Sequence, residues 1–325
     1  MFAAFGLAIA LAAFLAVNVI ASLGVALAAK AILRALPSGH LRRRARVLLA
    51  LRLFPAAAAT FVAAGLVVPA YLLLEPADAG ERVTLPLALI SAAALALVGA
   101  GLVRGLRSLS ATARLVRAWE AEAEPIAVTG GAVPVSRVQD PEPVFALVGW
   151  RRPRIYVSSV VFDALTPAEI QAAVDHERAH LDAGDNLKRL LIRSAPDVLG
   201  LAPASRAIEA AWGRSAEALA DDEAGAGRPQ VALALAASLV KVARLSPPAA
   251  AGLPMSALHD GGDVEARVRR LVGSAGAGIG RPASATSAAI GVVLAAAAMV
   301  TLYSSALPAV HAAIEAAVRL LGLLG

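Results

Sequence analysis

Apolar positions dominate the first hundred residues as unbroken runs rather than as one face of an amphipathic pattern. Runs near 4–29, 48–74 and 85–103, and a fourth near 284–307, each reach the roughly 20 residues a helix needs to cross hydrocarbon. Four membrane helices are expected on that pattern. The first run lacks a basic leading segment and is too long for a secretory signal core, so it reads as a retained span. Between the third and fourth runs polar positions return, and the only obvious globular domain lies there.

Charge in the loops orients these spans. Lys30, Arg34, Arg42, Arg43, Arg44 and Arg46 separate the first two, whereas Glu75, Asp78, Glu81 and Arg82 separate the second and third. Arg104, Arg107, Arg114 and Arg117 follow the third. Positively charged loops stay cytoplasmic, which predicts an extracytoplasmic N-terminus and a cytoplasmic segment 104–283 in a multi-pass plasma-membrane protein. Arg52, near the cytoplasmic end of the second span, is expected to snorkel to the surface. The fourth span then returns the C-terminus outside, with 308–325 as a short amphipathic tail. Domains are accordingly expected at 1–110 (three spans), 111–283 (cytoplasmic), 284–307 (fourth span) and 308–325.

Within the cytoplasmic segment the period changes. Val144–Val148 and Ile155–Val157, joined through Gly149-Trp150-Arg151-Arg152-Pro153, predict a β-hairpin. Thr166-Pro167-Ala168-Glu169 then combines an N-cap, a proline at the first helical position and a glutamate at the third, which fixes a helix start. Gly184 is the expected end of that helix. Further helices are expected near 205–224 and 231–245. The intervening 187–203 is apolar and contains Pro196 and Pro203, suited to the membrane surface. A Gly/Ala/Ser-rich linker occupies 272–287.

Composition sharpens this. With 58% hydrophobic and 17% charged residues, the chain is too apolar for an ordinary soluble protein. Its formal charge of +6 fits basic cytoplasmic loops, so no direct nucleic-acid partner is expected beyond the lipid bilayer itself. Cysteine is absent, which excludes disulfides and thiolate metal sites.

Candidate chemistry centres on His176-Glu177-Arg178-Ala179-His180. Residues at i and i+4 share a helical face, so both imidazoles can reach one ion, with Glu177 beside it as the base that takes a proton from water. Two of only five histidines fall at this spacing. Catalytic zinc takes three protein ligands, and without cysteine the third must be His, Asp or Glu. Glu217, in Glu217-Ala218-Leu219-Ala220-Asp221, is the choice, and Asp221 one turn later is placed to orient a zinc-bound histidine. Asp185 and Asn186 are alternatives for holding that later helix. Arg214 and Tyr156 are candidates for an oxyanion donor. The competing structural reading, ordinary surface histidines on an amphipathic helix, is weakened by the capped helix, the hairpin before it and the acidic helix after it.

Taken in order, Pro153–Ser158, Leu165–Ile170, His176–His180, Asp185-Asn186, Pro203 and Glu217–Asp221 resemble the gluzincin-type membrane metallopeptidases. Specifically they are similar to the BlaR/MecR-type family, related to the Ste24/HtpX-type peptidases. The resemblance covers about residues 143–225. It implies a mainly α-helical membrane protein with four transmembrane helices and a cytoplasmic α+β gluzincin-like domain holding a small β-sheet. It also implies Zn2+ bound by His176, His180 and Glu217, Glu177 as catalytic base, and an apolar hairpin between the zinc-binding helices. In that family a penicillin-binding sensor follows the last span, and about eighteen residues follow it here, so β-lactam sensing is not expected.

The function expected is zinc endopeptidase activity on a cytoplasmic or membrane-proximal protein, a transcriptional repressor in a signalling pathway being one candidate. An extended substrate could add to the edge of the hairpin. The alternatives are membrane quality control of the HtpX type or a non-catalytic signalling scaffold, and an intact Glu177 weighs against the last.

Overall fold

The computed structural model describes residues 2–37, 39–76, 83–128, 133–245, 256–257, 264–274 and 306–320. Three helical rods, Phe2–Ala35, Leu41–Leu74 and Leu85–Glu120, are long and apolar enough to cross a membrane. They form α1 (Phe2–Ala35), α2 (Leu41–Thr60), a π-helical stretch (Phe61–Val67), α3 (Val68–Leu74) and α4 (Leu85–Glu120). Pro55 lies within α2, and the π-helical stretch starts six residues after it. Ile20, Leu27, Leu72, Leu85, Leu89 and Leu102 project outward from these rods. A protein anchored in a membrane gives such leucines an apolar surrounding. The expected fourth span lies outside the described residues except for its last two. Those open α11 (residues 306–320), whose Leu307, Val310, Ile314 and Val318 pack on Phe5, Ile9 and Tyr71 at helical spacing. The linker expected at 272–287 also falls outside, apart from residues 272–274, which are helical.

Beyond α4 the chain builds a five-stranded sheet in the order β1-β2-β4-β3-β5: β1 (Glu124–Ile126), β2 (Val135–Val138), β3 (Phe145–Val148), β4 (Arg154–Ser158) and β5 (Ser256–Ala257). Only β2 and β4 run parallel. The hairpin expected at 144–157 is β3–β4, turned at Gly149, whose φ of +92° favours glycine. Alternation divides the sheet cleanly. Phe145, Leu147, Ile155 and Val157 face a core shared with α6 (Pro167–Ala183) and α9 (Pro229–Leu245). Ala146, Val148 and Tyr156 face Trp119 at the end of α4. The edge of β3 expected to be open to a substrate is covered, because β5 pairs with Ala146 and Leu147.

The helix predicted from Thr166 is α6, and its ends are as the capping residues dictate. Thr166 accepts from the Glu169 N–H at 3.4 Å and the Glu169 carboxylate accepts from the Thr166 N–H at 2.7 Å. Gly184 closes the helix in the left-handed region at φ +70°. Lys241 of α9 reaches the same Glu169 carboxylate at 2.7 Å. Burial alone would raise this carboxyl, but Lys241 and the Thr166 N–H outweigh it and hold the group below its ordinary range. A carboxylate whose pKa falls on folding stabilises the fold above about pH 4.3 and stops doing so as pH drops through that range. Glu169→Gln is therefore expected to cost about 1 kcal/mol at pH 7 and much less in acid. Thermal unfolding in detergent at both pH values checks this.

After α6 come α5's successors in the chain: α7 (Asp185–Ser194), a 3-10 turn at Leu199–Leu201, α8 (Pro203–Gly225), α9 and α10 (Val264–Ser274), α5 itself being the short helix Ser159–Ala164 before α6. The apolar hairpin expected between the zinc-binding helices is a helix and a connector instead. That connector, 195–200, is gripped by the membrane rods rather than lying loose on a surface. Asn18 donates to Pro196 O and accepts from Val198 N–H, while Ser22 accepts from Leu199 N–H. Arg104 donates to Arg193 O and Ala195 O. Gly101 makes the approach possible, since a Cβ there would meet Ser194 O at 2.7 Å. Arg52 does not snorkel. It is 4% exposed and pairs with Asp197 at 2.7 Å and with Glu209, because the connector and α8 bring carboxylates to it.

Candidate active site

Two helices and the strand edge converge on one buried point. His176 and His180 lie one turn apart on α6, fully buried, with Nε2 atoms 3.2 Å apart. Glu217 of α8 brings Oε2 to 3.5 Å from His176 Nε2 and Oε1 to 3.5 Å from His180 Nε2. The three expected ligands thus stand together, with their donor atoms within 4.8 Å of one another.

Carboxylates stand behind both imidazoles. Asp185 Oδ2 lies 2.9 Å from His180 Nδ1, and Asp221 Oδ1 lies 3.1 Å from His176 Nδ1. Asp185 hydrogen-bonds His180 Nδ1, so a proton there leaves the His180 Nε2 lone pair directed at the shared point, whereas Asp221 is close to His176 Nδ1 without hydrogen-bond geometry. Asp221 therefore sits where a histidine-orienting aspartate was expected, and Asp185 does the same for His180 instead of bracing α8. Asn186 has a different task from the one expected, donating to Leu147 O and Gly149 O and so tying α7 to the β3–β4 turn.

Glu177 is also fully buried. Its Oε2 accepts the Leu147 N–H at 3.1 Å, while Oε1 has no hydrogen-bond partner among the described residues. A buried carboxylate oxygen left bare costs free energy unless something polar reaches it. Burial raises this carboxyl, and the two histidines only partly offset the rise.

Two lone pairs and a carboxylate facing one point call for positive charge, which Arg267, 3.1 Å from Glu217 Oε2, supplies in part and a bound cation would complete. Tetrahedral zinc with Zn–N near 2.0–2.1 Å sets two imidazole nitrogens roughly 3.3 Å apart. The 3.2 Å separation here fits, and the bare oxygen of Glu177 fits a base beside the ion. Without a metal, burial lowers His180, but Glu217 and Asp185 more than reverse that and carry it to about 10. The Glu217 carboxyl is held well below its usual range despite burial, by His180 first and then by His176 and Arg267.

One residue of the cluster was not visible in the sequence. Arg267, from α10 and 8% exposed, binds Asp221 through two nitrogens at 3.0 and 2.7 Å and Glu217 Oε2 at 3.1 Å. It joins both α8 carboxylates at the donor cluster, where its Nη2 also comes within 3.4 Å of His176 Nε2, and Arg270 adds a further contact to Asp221 at 2.8 Å. Of the two candidate oxyanion donors, Tyr156 is on the wrong face of the sheet. Its hydroxyl meets Glu120, and burial pushes it up to about 12. Arg214 lines a cavity next to Glu217.

Residues 110–251 match the model of peptidase family M48. No curated protein matches the chain. The M48 match covers less than half of the chain and contains β1–β4, α5, α6, α7, α8 and α9, but neither β5 nor α10. It indicates a metallopeptidase domain, and with three apolar rods it describes a membrane-anchored one. It supports the resemblance at the level of the M48 metallopeptidases and does not reach the BlaR/MecR subtype.

Proposed function

We propose that the chain is an integral-membrane zinc endopeptidase with His176, His180 and Glu217 as ligands and Glu177 as base. The observation that carries this is the bare Glu177 oxygen beside three converging donor atoms. A purely structural metal site has no use for it.

Zinc held by these residues would supply Lewis acidity toward the scissile carbonyl and toward a water molecule. Glu177, immobilised by Leu147 N–H, accepts the proton from that water on its free oxygen. Its raised pKa lets it keep the proton and then deliver it to the departing amide nitrogen. Asp185 keeps His180 in the required tautomer and orientation throughout, and Asp221 stands close behind His176.

The order of motifs and the basic loops support the finer reading: a BlaR/MecR-like topology with four spans, the catalytic domain cytoplasmic in the plasma membrane, and a cytoplasmic or membrane-proximal protein as substrate. A transcriptional repressor and a misfolded membrane protein are the two candidates. Full-length protein in detergent is expected to cleave unfolded casein, to lose this with a chelator and to recover it with zinc. Cleavage that survives complete chelation sinks the proposal.

A further inference from the structure

By distance alone Glu217 straddles the donor point. Its Oε2 lies 3.5 Å from His176 Nε2 and its Oε1 3.5 Å from His180 Nε2, so either oxygen, or both, can reach an ion there. The difference decides what the site can do. A carboxylate that chelates through both oxygens fills the fourth position that a catalytic zinc keeps for water. The surroundings of the two oxygens are not alike. Oε1 accepts a hydrogen bond from Arg189 Nη2 at 3.2 Å. Oε2 has no hydrogen-bond partner among the described residues. Arg267 Nη1 stands 3.1 Å from Oε2 as a charge contact, while Arg267 Nε and Nη2 donate to Asp221. An ion at Oε2 can therefore replace that contact without breaking the Asp221 bonds. Arg189 is held firmly for its part. It lies one turn after Asp185 on α7, so the helix that backs His180 also reaches Glu217. Its side chain is 12% exposed, and its guanidinium stands 5.9 Å from the ring centre of Trp212 on α8. A carboxylate oxygen bonded to a guanidinium has given up a lone pair and part of its charge, which leaves the other oxygen as the better ligand.

We infer that Arg189 is a positioning residue that makes Glu217 a one-oxygen ligand through Oε2 and so keeps the fourth position of the metal open. The inference rests on the zinc-protease reading of the site. Arg189 acts through Glu217 and touches neither the substrate nor the reacting atoms. It divides the work of the two arginines at this carboxylate: Arg189 engages Oε1, and Arg267 braces Asp221 beside it.

Cobalt(II) reports this without turnover, because four-coordinate cobalt absorbs visible light intensely and five-coordinate cobalt weakly. Full-length protein in detergent, stripped with a chelator and saturated with cobalt(II) chloride, is expected to hold about one ion per chain with the intense spectrum. Arg189→Met keeps an aliphatic stem against Trp212 and removes the fork. It should still fill with cobalt but lose the intense band. Loaded with zinc, it should show kcat lowered about 10–100-fold at a little-changed KM. Arg189→Lys returns a donor to Oε1 and should recover most of the band. An unchanged band in Arg189→Met at full cobalt occupancy overturns the inference. So does native protein whose bound cobalt already gives the weak spectrum, a result that depends on no variant folding. Native protein that takes up no cobalt removes the metal reading itself and the inference with it, so the two failures are told apart.

Discussion

Glu177→Gln is expected to reduce peptide hydrolysis by about a thousandfold or more while leaving the fold and metal content intact. The side chains are isosteric, and the Leu147 N–H can still donate to the amide oxygen, so β3 and α6 keep their register. What disappears is the buried carboxylate oxygen of Glu177 that no hydrogen bond engages and that could take a proton beside the donor cluster. General acid–base catalysis is worth about 10²–10⁴, and this residue would act in both proton transfers. Activity of the variant measured beside its zinc content and unfolding temperature checks this. Undiminished activity with full zinc would remove Glu177 from the chemistry.

Arg267→Gln carries the second large effect. Asp221 is fully buried, and Arg267 supplies two of its charged contacts. Removing one partner of a buried ion cluster costs about 3–5 kcal/mol, and Arg270 at 2.8 Å keeps the expected loss near the lower end. Zinc affinity is expected to fall about 10–100-fold as well, because Asp221 backs His176 and Arg267 also steadies Glu217. Arg267→Lys restores the charge but not the fork, so it should recover part of the stability and little of the metal affinity. Thermal unfolding of metal-free protein together with competitive zinc titration separates the two effects. A variant that loses stability but binds zinc normally would confine Arg267 to structure.

Much of the site could be read in the sequence because its parts are local. Thr166-Pro167-Ala168-Glu169 fixes where α6 begins, and that start sets the face carrying His176 and His180. Glu217 and Asp221 were accessible from their own four-residue spacing and from the absence of cysteine. What escaped depends on tertiary placement. Arg267 sits in a short basic helix, Val264–Ser274, with no pattern linking it to α8. Tyr156 looks suited to a site until the sheet turns it to the face that packs on Trp119. Arg52 looked like a snorkelling residue because its carboxylate partners lie 145 and 157 residues away. The connector 195–200 reads as apolar, yet its backbone hydrogen bonds to Asn18, Ser22 and Arg104 are what dock it on the rods. The covering of β3 by the two-residue β5 was equally unmarked, since Ser256-Ala257 carries no strand pattern.

The measurement that bears most directly on this account is the metal content of the full-length protein purified in detergent, beside His180→Ala and Glu217→Ala. About one zinc per chain is expected in the native protein and close to none in either variant, since each removes one of three ligands. Native protein that binds no zinc even after incubation with it would contradict the metallopeptidase account, and zinc retained by Glu217→Ala alone would contradict the third ligand.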